Sequence, residues 1–401
     1  MRHNILADND CGGEKSVNID AAADGICELH TAFAAGGLRA APPTVLCSVP
    51  LKHIIHENGK FCGFCFHPYL CRCRIGMVFI MDQNYTIFLG DVALDEYYQT
   101  DRWPGRAEKI DTKILPPQMG GMIANAASVY ASYGDKTFFS GILNPRDRKL
   151  CEQLEQSGIQ THLVVYDPSV ADSKCMIFLA EGEHTVFIID TEVTSMPITE
   201  EIQQAYCGAS VIYSGLWALK YLRLGEMQAP ELVAQWAKHG VKLMIDSDVD
   251  KLTADDQAFL PYVHTLFMNE VGFSHQKDGR SDEETVEWLL SFGLRMLVVT
   301  LAEKGCVIYQ PGEAPLRIDG VPADVVDVTG AGDTFCSSLV WAYSRSADVR
   351  LSAEFATYAS SRAVTKLGAR AGAAGSEAVF QYMREKGRDP KPFAHILHGR
   401  S

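Results

Sequence analysis

The stretch Asp327-Val328-Thr329-Gly330-Ala331-Gly332-Asp333-Thr334-Phe335 sets two glycines and a carboxylate directly before a segment whose apolar residues Phe335, Leu339, Val340 and Tyr343 recur at the steps of one helix face. Upstream, Val321 to Val328 is rich in β-branched residues, so the turn reads as a join between extended chain and a helix N-terminus. Gly330 and Gly332 carry no Cβ, which lets the backbone bend sharply and bring its N–H groups close to an anion. The positive end of the helix dipole then favours phosphate oxygens. Asp333 conflicts with that preference. A carboxylate beside a polyphosphate is repelled unless it has a task there, such as accepting the proton of an attacking hydroxyl. The bland reading of Asp333 is a helix N-cap. The spacing is not that of a Walker loop, because no Gly-Lys-Ser/Thr follows, nor of the dinucleotide fingerprint, which needs a third glycine.

The rest of the chain agrees with a soluble enzyme. Its 401 residues hold either one large α/β domain or two smaller ones, and 47% hydrophobic content suits a globular core. The net charge of −14 falls on the body: residues 1–80 hold 7 basic and 7 acidic residues, the remainder 29 and 43. An acidic body argues against nucleic acid as a partner. No apolar run approaches the roughly 20 residues that span a bilayer, and no basic region followed by an apolar core opens the chain. A cytoplasmic protein without membrane partners is expected. Seven of the twelve cysteines lie in the first 80 residues and the other five are scattered without framework spacing, as in a reduced enzyme.

That shift in composition sets a boundary near residue 80. Residues 1–80 are expected to be a poorly ordered extension, or a segment outside the natural protein with Met77 or Met81 as the start. Within them Cys62-x-x-Cys65, His67 and Cys71-x-Cys73 offer thiolates and an imidazole to zinc, although the loop is very short and Cys-x-Cys spacing is unusual for a tetrahedral site. Residues 81–390 form the expected catalytic domain and 391–401 a tail.

In that domain Tyr85 to Leu89, Thr137 to Ser140, Val211 to Ser214, Val241 to Ile245, Thr265 to Met268 and Met296 to Thr300 are short apolar runs suited to buried strands. Helical patterns over Met122 to Tyr133, Pro230 to Lys238, Asp282 to Ser291 and Leu351 to Lys366 alternate with them. The predicted class is α/β, a mostly parallel sheet with helices on both faces. Lys109 to Leu115 and Lys174 to Asp190 alternate differently and predict hairpin structure outside the sheet, a lid with segments near 95–118 and 172–194.

A second glycine-rich element, Gly120-Gly121-Met122-Ile123-Ala124-Asn125-Ala126-Ala127 ending in Tyr133-Gly134, precedes a helix that presents an amide in its first turn. It reads either as a polyol site, with Asn125 able to donate and accept, or as a tight turn before an Ala-rich packing helix. Asp91 and Asp95 follow the first strand, at the end where open α/β sheets bind ligands. Asp91 also reads as a turn residue. Asn269-Glu270 and Thr300-Leu301-Ala302-Glu303-Lys304-Gly305 each follow a strand run, as does Asp246-Ser247-Asp248, whose carboxylates either face the cleft or belong to a solvated loop, the reading favoured here.

The nine-residue string resembles the C-terminal signature of the ribokinase or PfkB family of carbohydrate kinases, and the Gly120 element resembles its N-terminal signature, with Tyr133 in place of a leucine. The resemblance implies a doubly wound, mostly parallel sheet flanked by helices with a small β lid. It implies ATP and Mg²⁺, with Asp333 as catalytic base and Gly330, Ala331 and Gly332 as the anion hole. Asp95, Gly120, Gly121 and Asn125, with Asp91 second to Asp95, are then expected at the sugar, and Asn269, Thr300, Gly305 and Gly332 at the nucleotide. Gly272 stands where the family's Asn-x-x-Glu motif has its glutamate, and Ala302 where a glycine is frequent. Ala363 to Ala369 resembles a segment whose carbonyls bind a monovalent cation in relatives, which implies a potassium site of Asp327, Thr329, Ala363, Lys366 and Gly368. Relatives often pair through their lids, which implies a homodimer. The expected activity is transfer of the γ-phosphate of ATP to a sugar or related polyol. A nucleoside kinase of the same fold and a non-catalytic sugar- or nucleotide-binding regulator remain the alternatives. Arg102, Trp103 and Arg106 near the first lid segment offer contacts to an acidic sugar, or face solvent.

Overall fold

The structure, a computed structural model, describes residues 84–248 and 250–394 together with three short strands near the N-terminus. The chain divides into two compact units, Met1–Val78 and Phe79–Ser401. In the first, Ile5–Leu6, Ser16–Ala21 and Cys27–His30 form a small antiparallel sheet. The cysteine and His67 cluster and both alternative starts lie outside the described residues, as does most of the expected extension.

The second unit is built on an eight-stranded sheet in the spatial order Leu316–Ile318, Cys306–Tyr309, Met296–Thr300, Val263–Asn269, Lys242–Asp246, Val211–Ser214, Thr86–Leu89 and Thr137–Ser140. The six strands from Met296 onward in that order are parallel, and the two at the far edge are antiparallel. The parallel strands correspond to the apolar runs of the sequence, because strands covered on both faces are apolar throughout. Side chains alternate between those faces. Phe88, Tyr213, Phe267 and Val298 pack with the helices Met122–Ser132, Ala331–Ser346 and Val349–Ala363. Ile87, Leu89, Ile212, Leu266 and Leu297 pack on the other face with Glu200–Gly208, Ala229–Lys238 and Asp282–Leu290.

A separate four-stranded sheet, in the order Glu183–Ile188, Lys174–Ala180, Ala93–Gln99 and Lys113–Gly120, forms the lid. Pro116 and Pro117 sit in its Lys113–Gly120 edge strand, where a missing N–H costs no ladder bond. Ile114, Val186, Phe187 and Ile188 are exposed on the lid.

Val321 to Val328 forms no strand: the sheet ends at Leu316–Ile318, and the Val326 and Asp327 N–H groups bond instead to the Val364 carbonyl. Phe393, within the expected C-terminal tail, is fully buried beside Phe380. Ala302 adopts a left-handed φ of 49°, which explains why a glycine suits that position. Ala302→Gly is therefore expected to stabilise the fold by about 1 kcal/mol by relieving this backbone strain. Calorimetry would register a Tm rise of about 2 °C, and an unchanged or lower Tm would refute the strain.

Candidate functional site

The candidate residues converge at the carboxyl ends of the parallel strands, the ligand-binding edge of an open α/β sheet. Asp91 and the start of the lid follow Thr86–Leu89, Asp246 ends its own strand, and Asn269 and Thr300 end two neighbours. The helix N-termini of Met122–Ser132 and Ala331–Ser346 meet over this edge, joined by a bond from Asn125 Nδ2 to Asp333 Oδ2 of 3.0 Å.

The glycine-rich turn is locked from outside. Gly330 takes a left-handed φ of 74°, and a Cβ there would collide with the Ala369 carbonyl. Asp327 Oδ1 accepts the Thr329 N–H at 2.9 Å and Oδ2 accepts the Gly368 N–H at 2.8 Å. Burial alone would raise the Asp327 pKa, but these bonds outweigh it and hold the carboxyl below its ordinary value. The Ala331 N–H bonds the Val328 carbonyl, which leaves the Gly332 and Asp333 N–H groups as the unsatisfied donors of the first turn. A Cβ on Gly332 would meet nothing within 4 Å, so there is open space beside this turn.

Asp333 lies at the edge of that space. Burial pushes its pKa up to about 8; the Asn125 bond lowers it, and Asp246, Asp91 and Asp248 raise it further. Asp246, which reads in sequence as part of a solvated loop, is in fact buried, and its carboxylate accepts the Tyr213 hydroxyl at 2.8 Å and the Asp248 N–H at 3.0 Å. Tertiary packing accounts for the difference, since the strand carrying it is central to the sheet.

Asp95 lies on a lid strand at a register irregularity between Asp95 and Tyr97, a feature that re-aims side chains. It is 8% exposed, and burial with help from Asp91 pushes its pKa to about 6, against a bond from Cys175 and the charge of Arg370. Gly120 leaves room for it, because a Cβ there would run into the carboxylate. Gly121, with φ 95°, starts the Met122–Ser132 helix without a capping side chain of its own. Asp91 supplies the cap: its two oxygens accept the Met122 and Ile123 N–H groups, each at 3.1 Å. Burial raises its pKa and these bonds hold it back.

At the nucleotide side, Asn269 caps the short helix Glu270–His275, accepting the Gly272 N–H at 2.8 Å and donating to Asp248 Oδ1 at 2.7 Å. Gly272 is buried in that cap and Glu270 is exposed. Thr300 pairs with Asn269 across parallel strands. Gly305, φ 92°, closes the following turn against Ile318 and Gly320, where a side chain would clash with backbone. Of the expected cation ligands, the Ala363 and Gly368 carbonyls accept the Lys366 and Ala371 N–H groups, keeping one lone pair each. Among the described residues no group of three or more His, Cys, Asp or Glu is arranged to hold a metal ion. Arg102 pairs with Glu108 at the surface.

Sequence reasoning passed over Arg370 and Cys175. Cys175 is the lid partner of Asp95 across the parallel pair, a relation only register reveals. Arg370 Nε donates to Asn125 Oδ1 at 3.1 Å. A separate 590 Å³ cavity, ringed by Arg317, Arg350, Lys386 and Arg388, includes none of the candidate residues.

Comparison with known proteins accords with this geometry. Residues 90–374 match the family described as pfkB family carbohydrate kinase. The bifunctional protein HldE of Actinobacillus pleuropneumoniae is 27% identical over 297 residues, 70% of this chain and 60% of that protein. The chain thus spans about 60% of the length of the curated relatives it matches. The ribokinase of Arabidopsis thaliana, solved with ribose and ATP, superposes with a TM-score of 0.65 at 20% identity, covering 76% of this chain and 99% of that one. Ribokinase from Thermotoga maritima gives 0.63 at 19% identity, covering 75% and 99%. These likenesses establish the ribokinase fold. No helix among the described residues is long and apolar enough to cross a membrane.

The raised Asp333 pKa also sets a stability dependence. Between the ordinary 3.8 and the folded value of about 8, the folded protein keeps a proton that the unfolded chain has released. The contribution is complete below the lower value and is lost as pH rises through the upper one. Asp333→Asn is expected to make Tm fall less steeply from about pH 5 to about pH 8 than in the parent. Parallel curves would show that the carboxyl is not held protonated.

Proposed function

Because the chain belongs to the PfkB family of carbohydrate kinases, we propose that it transfers the γ-phosphate of ATP to a hydroxyl of a sugar or related polyol, with Asp333 as the base. The observation that carries this reading is that Asp333, in the first turn of the Ala331–Ser346 helix, is bonded to Asn125 of the other glycine-rich element. The acceptor lies between Asp95 and Asn125, whose carboxylate and amide suit neighbouring hydroxyls. Its oxygen attacks the γ-phosphorus in line as Asp333 takes the hydroxyl proton, and ADP leaves. The Gly332 and Asp333 N–H groups meet the negative charge on the transferring group, aided by the helix dipole.

The fit to Mg²⁺ follows from the donor set. Asn269 and Asp248 offer a linked amide and carboxylate where Gly272 supplies no side chain, and Mg²⁺ is commonly held by one or two carboxylates plus phosphates and water. When bound, the ion neutralises phosphate charge. The remaining lone pairs of the Ala363 and Gly368 carbonyls, with Asp327, Thr329 and Lys366, suit a potassium ion beside the turn. Gly272 also supports a second reading, a regulator that binds sugar and nucleotide with little turnover.

ADP release on mixing with ATP and ribose, fructose, 2-keto-3-deoxygluconate, tagatose 6-phosphate or nucleosides separates these readings and identifies the acceptor. With the responding acceptor, Asp333→Asn is expected to lower kcat at least about a hundredfold while leaving ATP binding intact. Near-parent turnover in the purified variant would remove Asp333 from the role of base. The exposed apolar lid residues further support a homodimer joined at the lids. Ile188→Glu with Ile114→Glu should convert a sedimenting dimer to a monomer, and an unchanged mass would move any interface elsewhere.

A further inference from the structure

We infer that Arg370 is a positioning residue, which through Asn125 fixes the side of the amide that meets Asp333 and keeps the Asp333 carboxylate an acceptor in that contact. The inference deepens the reading of Asp333 as the base and rests on it for its functional meaning.

Donors and acceptors alternate along a chain of three side chains. Arg370 Nε–H reaches Asn125 Oδ1 at 3.1 Å, and Asn125 Nδ2 reaches Asp333 Oδ2 at 3.0 Å. A guanidinium has donors and no acceptor. Facing it, the amide must present its oxygen, so its NH₂ must face Asp333. An NH₂ likewise only donates, so Oδ2 must accept, and any proton that Asp333 carries sits on Oδ1. Reversing the amide would set an NH₂ against a guanidinium and an oxygen against a carboxylate, breaking both bonds. Asn125 is 6% exposed, so water is a poor substitute for either.

The surroundings make this relay consequential. Asp333 is faced by Asp246 and Asp248 from one strand end and Asp91 from another, while Cys336 and Tyr213 lie within the same electrostatic cluster. All are acidic or neutral. Arg370 is coupled to both Asp95 and Asp333, and burial draws its own pKa down to about 10, still far above neutral pH. Its buried Nη2 has no hydrogen-bond partner, so no fixed carboxylate neutralises its charge at that nitrogen. The cation therefore acts across the acceptor site, on Asp95 and Asp333 together.

Direct titration tests this without any acceptor sugar. Protein labelled with ¹³C at aspartate carboxyl carbons gives the Asp333 resonance, assigned by its loss in Asp333→Asn. In Arg370→Gln or Arg370→Met the Asp333 midpoint is expected at least about one pH unit above the parent, with Arg370→Lys, which keeps a donor-only cation, in between. Thermal unfolding identifies a variant that fails to fold, and the other charge-removing variant then gives the midpoint. A midpoint within about 0.3 pH unit of the parent, or no recovery in Arg370→Lys, would overturn the inference. Near-parent turnover in Asp333→Asn would instead overturn the base assignment and leave this titration result standing.

Discussion

The cleft depends on the joint between Asp327 and the Gly368 loop. One carboxylate bonds the Thr329 N–H on its own turn and the Gly368 N–H of the distant loop, while Gly330 presses against the Ala369 carbonyl. The contact decides where the Ala331–Ser346 helix begins. If it opened, the first-turn donors would lose their direction and Asp333 would move relative to Asn125. Arg370 would be displaced too, because it follows Ala369 directly. A single joint thus sets the positions of the anion donors, the carboxylate and the cation that faces it, which is the preorganisation phosphoryl transfer requires.

How much of this the sequence discloses depends on whether a feature is local. The parallel strands read as apolar runs because burial on both faces removes any alternation, and the glycine-rich turn reads from glycines whose conformation is local too. Gly305 and Gly330 both have positive φ and both face backbone that excludes a Cβ. The antiparallel edge strands Cys306–Tyr309 and Leu316–Ile318 are short and half-exposed, and carry no comparable signal. The β-branched Val321 to Val328 pairs with no strand: the Val326 and Asp327 N–H groups bond the Val364 carbonyl, and Val325, Val326 and Val328 remain exposed.

The site itself was legible in its parts and not in its wiring. Asp91 and Asp95 look alike in sequence, four residues apart, yet one caps a helix 31 residues on and the other turns into the cleft at a strand irregularity. Asp246 looked like a solvated acid because acids usually are, and only its central strand buries it. Arg370 has no sequence signal, since a lone arginine after a loop is normally at the surface. Its role is fixed by a hydrogen bond to a residue 245 positions away.

The concentration of buried acids around one arginine has a thermodynamic consequence that explains the arrangement of the cleft. Asp91, Asp95, Asp246 and Asp333 all have raised pKa values, and burial is the leading cause for each. Taken alone, every one of them disfavours folding at neutral pH. The fold holds them with different partners: Asp91 accepts two backbone N–H groups and Asp246 a hydroxyl and a backbone N–H, whereas Asp95 and Asp333 lie within reach of the Arg370 cation. Structural acids are thereby satisfied by backbone and hydroxyl donors, and the two acids at the acceptor space are left with capacity for a ligand's hydroxyl groups. Four chemically identical side chains thus meet the fold in two different ways.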